Sequence, residues 1–110
     1  MDKASKYLFD IRNAIALTEE FLKGIIDFRT YQMDLKTQSA VERQLSVIGE
    51  AVNKLRSEEI AVTLSSASQI VGFRNRLIHS YDNIDASIVW AIIKNHLPQL
   101  KIEVEALFEQ

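Results

Sequence analysis

Apolar residues recur along this chain at spacings of three, four and seven, the pattern of helices that turn one face inward. The spacing predicts four such segments. The first runs from about Ala4 to Phe28 and lines up Leu8, Ile11, Ile15, Leu22 and Ile25. TYQMD, residues 30–34, breaks that rhythm, and Asp34 or Thr37 can cap the next helix. That second segment carries Val41, Leu45, Ile48, Val52 and Leu55, the seam of a helix packed lengthwise on its neighbours. It decays into RSEEIAVTLSSAS, a charged and then serine-rich connection. Ser66 with Gln69 three residues on matches a capping box, opening a third segment with Ile70, Phe73 and Leu77 on its apolar face. Asn83 or Asp85 can cap the fourth, where Val89, Ile93, Leu97, Leu100, Val104 and Leu107 continue the pattern. Pro98 falls inside it and should bend the helix or start a new turn.

The sum is an all-α antiparallel four-helix-type bundle, one domain over residues 1–110, with more apolar surface than a small bundle hides. A homodimer is the corresponding expectation. Composition agrees. Hydrophobic residues make up 47% of the 110 and charged residues 25%, which excludes wholesale disorder. Three glycines and one proline leave few tight turns for a many-stranded sheet protein. With no cysteine there is neither a disulfide framework nor a thiolate metal site, and two histidines make a histidine-only metal site a poor reading. No stretch approaches the roughly 20 apolar residues that span a bilayer, and the N-terminus lacks a signal-type apolar run. A soluble, cytoplasmic protein is the expectation. The formal charge of −2 neither demands nor excludes a nucleic-acid partner.

One stretch departs from the apolar rhythm. RNRLIHSY, residues 74–81, crowds two arginines, an asparagine, a histidine and a tyrosine around Leu77 and Ile78. These residue types suit phosphodiester chemistry. A guanidinium holds phosphate in bidentate fashion and stabilises charge that develops in a transition state. An imidazole takes or gives a proton near neutral pH, help worth roughly 10²–10⁴-fold in rate. RNA brings its own nucleophile, the 2′-hydroxyl, so such a set can cut it without a metal. The angles are less favourable: on a straight helix positions 74 and 79 lie about 140° apart. Arg76 and His79, three apart, share a face. A helix that frays near His79, or a two-fold partner supplying second copies, would relieve the difficulty for Arg74.

Arg74-Asn75-Arg76-Leu77-Ile78-His79 resembles the signature of the HEPN superfamily, an arginine, four to six residues and a histidine, often with Asn after the arginine. Ser80-Tyr81 extends it to Arg-x4-His-x-Tyr, similar to the HepT toxin branch. AVERQLSVIGEAVNKL, IVGFRNRLIHSYDNID and VWAIIKNHLPQLK, in that order, carry the likeness over most of the chain. The resemblance implies a helical bundle that dimerises with two motif copies in a cleft at the two-fold axis. It also implies a metal-independent, cofactor-free ribonuclease with RNA as substrate. Such toxins are paired with an MntA-type minimal nucleotidyltransferase antitoxin, which transfers AMP from ATP to the motif tyrosine. Carried over, Arg74 holds and polarises the scissile phosphate and His79 is the general acid or base. Asn75 supports the motif, and Tyr81 is the modification site, which requires an accessible hydroxyl.

Other readings stay open. Arg74 also suits a helix-end arginine bonding terminal carbonyls, His79 a helix-end structural histidine, Tyr81 an edge-packing ring and Asn75 a local cap. Glu42 and Glu50 flank the seam of the second segment, where acids form surface ion pairs, though either can orient Arg74. His96 reads as structural without an evident partner, and Trp90 and Phe73 as core or interface anchors. As a whole, the chain also fits a non-catalytic docking module for a nucleotidyltransferase or nucleotide, or a structural interaction protein. It does not fit the nucleotidyltransferase itself, which needs metal-binding carboxylates on a sheet and a glycine-rich phosphate loop.

Overall fold

A computed structural model describes residues 2–60, 62, 64–79 and 84–109; the side chains of residues 67, 74 and 76–79 lie outside that description. The described chain is helical throughout: α1 (Lys3–Phe21), α2 (Phe28–Gln32), α3 (Leu35–Ser57), α4 (Ala67–His79), α5 (Ala86–Asn95) and α6 (Leu97–Phe108). The all-α expectation holds, and the four segments resolve into six helices.

The extra ends have local causes. The first segment stops at Phe21 because the chain turns through Gly24, whose φ of 83° is left-handed and suits a residue without a Cβ. Leu22 and Ile25 still pack against the core beyond that turn. TYQMD is correspondingly no simple break, since its tyrosine sits in α2, capped by Asp27, which accepts the Thr30 N–H at 2.8 Å. Of the two candidate caps for α3, Asp34 is the one, accepting from the Thr37 N–H at 3.0 Å and the Thr37 hydroxyl at 2.6 Å. Asp85 caps α5 through the Ser87 N–H, whereas Asn83 lies outside the described residues. Pro98 starts a new helix rather than bending an old one. It stands in the first turn of α6, where a missing N–H costs nothing, and the break falls at His96.

The seam of α3 is buried as its spacing requires: Val41, Leu45, Ile48, Val52 and Leu55 face inward with Leu8, Ile11, Ala14 and Ile15 of α1. The two helices are antiparallel, since the Tyr7 hydroxyl donates to Glu58 at 3.3 Å and Lys3 reaches the same carboxylate at 3.5 Å. Helix α6 is antiparallel to α1 as well, with Lys101 2.8 Å from Glu19 and the Arg12 guanidinium 3.8 Å above the Phe108 ring. The short α2 closes one corner. Tyr31 is wholly buried 5.3 Å from the half-buried Trp90 ring, and Gln38 donates to the carbonyls of Tyr31 and Gln32. Beside that corner Ile26, Met33 and Leu35 remain largely exposed, so the bundle does leave apolar surface uncovered. No described helix is long and apolar enough to cross a membrane.

Candidate active site

Helix α4 carries the polar cluster, and its own apolar residues hold it in place. Ile70 and Phe73 are buried in the core, where α4 packs chiefly on α3. The backbone is helical through His79, the last residue of α4. Positions 74 and 79 therefore keep the angular separation of about 140° that an unbroken helix imposes. Arg74, Asn75 and His79 share one helix, and Asn75 is exposed. Tyr81 lies outside the described residues, as does Ser80.

The start of α4 is fixed from a distance. The Ser66 carbonyl accepts the Ile70 N–H at 3.1 Å, so its backbone occupies the cap position. Its buried hydroxyl, however, lies 3.0 Å from Nδ1 of His96, between α5 and α6. Ser66 thus stands where the capping-box reading put the start of the helix, but its hydroxyl is turned to His96. His96, read as partnerless, has a partner thirty residues away. Next to it, Ser65 donates through its N–H and hydroxyl to Glu103 of α6. No local spacing signals either tie, because both depend on how α5 and α6 return to the connector.

Of the acids flanking the α3 seam, neither Glu42 nor Glu50 makes an ion pair among the described residues. Glu42 is half-buried, and that burial pushes its carboxyl above the ordinary value. The nearby Tyr31 hydroxyl is buried with no hydrogen-bond partner among the described residues. Burial first, and the Glu42 charge second, hold it well above an ordinary phenol. Among the described residues no three His, Asp or Glu side chains form a set that could hold a metal ion.

The described chain thus pairs an all-helical bundle with an Arg-x4-His stretch on a helix anchored to its core. The family model described as ribonuclease HepT-like matches residues 11–107. The chain belongs to the HepT-like family. Among its relatives, a chain named "Probable ribonuclease HepT" from Thermococcus cleftensis is 36% identical, the alignment covering 92% of each chain. Two more carry the name "Putative RNase". One, from Methanocaldococcus jannaschii, is 34% identical over 90% of this chain and 91% of its own. The other, from Caldanaerobacter subterraneus, is 31% identical over 94% and 93%. No solved structure matches the chain.

Proposed function

We propose that this HepT-like chain, a single HEPN domain over residues 1–110, is a metal-independent endoribonuclease that works as the toxin of a toxin–antitoxin pair. The observation that carries the reading is Arg74-x4-His79 on one continuous helix of a HepT-like bundle. The substrate is RNA, whose 2′-hydroxyl attacks the adjacent phosphorus as the bond to the leaving 5′-oxygen breaks. His79 serves that proton transfer, and Arg74 neutralises charge gathering on the phosphoryl oxygens. Asn75 supports the pair by hydrogen bonding. Because one straight helix aims positions 74 and 79 apart, the active unit is a homodimer whose two motifs meet in one cleft. The apolar side chains left exposed at Ile26, Met33 and Leu35 support a protein contact of some kind, with a second copy or the antitoxin.

Control acts through Tyr81. A minimal nucleotidyltransferase of the MntA type transfers AMP from ATP to its hydroxyl with release of pyrophosphate. The added phosphodiester charge and nucleotide bulk beside the motif then exclude RNA. The test is expression without any partner of wild type, His79→Ala and Tyr81→Phe, with total RNA followed in cells and with purified protein. Wild type is expected to arrest growth and degrade RNA, and His79→Ala at matched level to lose roughly 10²–10⁴-fold of the cleavage rate. Tyr81→Phe should stay toxic when the nucleotidyltransferase is co-expressed. Intact RNA with wild type would instead favour a docking module that binds the nucleotidyltransferase and cuts nothing.

A further inference from the structure

A groove of about 610 Å³ runs between α4 and α5, in the size range of pockets that hold small organic ligands. Phe73 forms a buried apolar part of its wall and Ile88, on α5, an exposed one. Gln69, Ser87 and His96 supply hydrogen-bonding groups, and the described lining holds no Lys, Arg, Asp or Glu. His96 is oriented: its Nδ1 is engaged with Ser66, leaving Nε2 as the ring nitrogen available to a ligand.

Gly72 opens the middle of this groove. Glycine is a poor residue for a helix interior, and a Cβ at position 72 would meet nothing within 4 Å. Among the described residues, therefore, no neighbour makes steric use of the glycine. A ligand approaching the α4 backbone would. Position 76 follows one turn later on α4, a rise of about 6 Å, so the groove adjoins the motif within reach of a neighbouring nucleotide.

Resting on the ribonuclease reading, the geometry points to this groove as the subsite for the base of a nucleotide flanking the cut. A base has an apolar face for Phe73 and Ile88 and a polar edge for Gln69, Ser87 and His96. The described lining, apolar on one side and hydrogen-bonding on the other, suits the face and edge of a base. An oriented imidazole serves recognition of a polar edge, whereas contact with a second helix has no need of one. The groove thus gives the enzyme its preference among bases beside the scissile bond.

The experiment measures binding of labelled 2′-O-methyl homopolymers of A, C, G and U, which lack the nucleophile and stay intact. Fluorescence anisotropy would be read for wild type, Gly72→Leu and His96→Ala, with melting temperature and sedimentation alongside. Wild type should prefer one base. Gly72→Leu should keep or raise the melting temperature yet weaken binding about tenfold, and His96→Ala should flatten the preference. Unchanged affinity and preference in both variants would overturn the subsite. So would a change of oligomeric state in Gly72→Leu with affinity per copy unchanged, which would make the groove an interface between copies. Wild type that binds with a base preference but leaves ordinary RNA uncut would refute the ribonuclease reading and keep the groove. Wild type that cuts RNA, together with variants that bind like it, would refute the groove alone.

Discussion

Tyr31 and Glu42 show what a single residue contributes to stability here. Glu42 is half-buried, and its folded pKa stands above the ordinary 4.5 of the unfolded chain. The folded state therefore favours the proton. Ionising the group carries a penalty that is absent below that ordinary value and fully present once pH rises past the raised one. Glu42→Gln removes the penalty, so at neutral pH the variant should melt above wild type, with the difference vanishing below 4.5. Thermal unfolding followed by circular dichroism across that range checks it. The capping aspartates oppose this trend. Asp34, stabilised by the Thr37 hydroxyl and then its N–H, and Asp85, by the Ser87 hydroxyl and then its N–H, have lowered values. Their contribution is present above the ordinary 3.8 and is lost as acid titrates them. The sequence narrowed each of these caps to two candidates, Asp34 or Thr37 and Asn83 or Asp85. The burial of Tyr31 was not legible there, because a five-residue helix is too short to display a period.

Among the elements, apolar spacing located every long helix and misjudged where two of them end. Leu22 and Ile25 keep facing the core after the chain has left α1, so their spacing mimics a helix that is no longer there. Hydrophobicity records which way a side chain faces and is blind to φ. The local sign of the end was Gly24 in its left-handed turn. Gly24→Ala meets no neighbour within 4 Å, so backbone strain alone should destabilise it, by about 1–2 kcal/mol in urea unfolding. Pro98 was legible as a disturbance. Its place in the first turn of α6 required knowing that His96 turns the chain.

For the whole molecule, the core of α1 and α3 and the placement of the motif on a helix followed from the pattern of residues 8–79. The groove beside the motif did not, since its walls come from helices that only tertiary packing brings face to face. On the ribonuclease reading, the two-copy cleft makes a prediction of its own. Arg74→Ala and His79→Ala are each expected to lose most of the cleavage rate alone. If each catalytic set takes its arginine from one copy and its histidine from the other, mixed dimers of the two variants regain RNA cleavage. If both come from one copy, the mixture stays inactive, and assaying co-purified mixed dimers decides between the two.

The ties from Ser65 to Glu103 and from Ser66 to His96 also bear on the order of events at the ribosome. The motif is made before α5 and α6, the helices that moor the head of α4. A nascent chain holding the whole of α4 thus still lacks one wall of the groove and both anchors of the connector. On the ribonuclease and subsite readings, a chain stopped short of α5 therefore carries the motif without the surface that would receive a base.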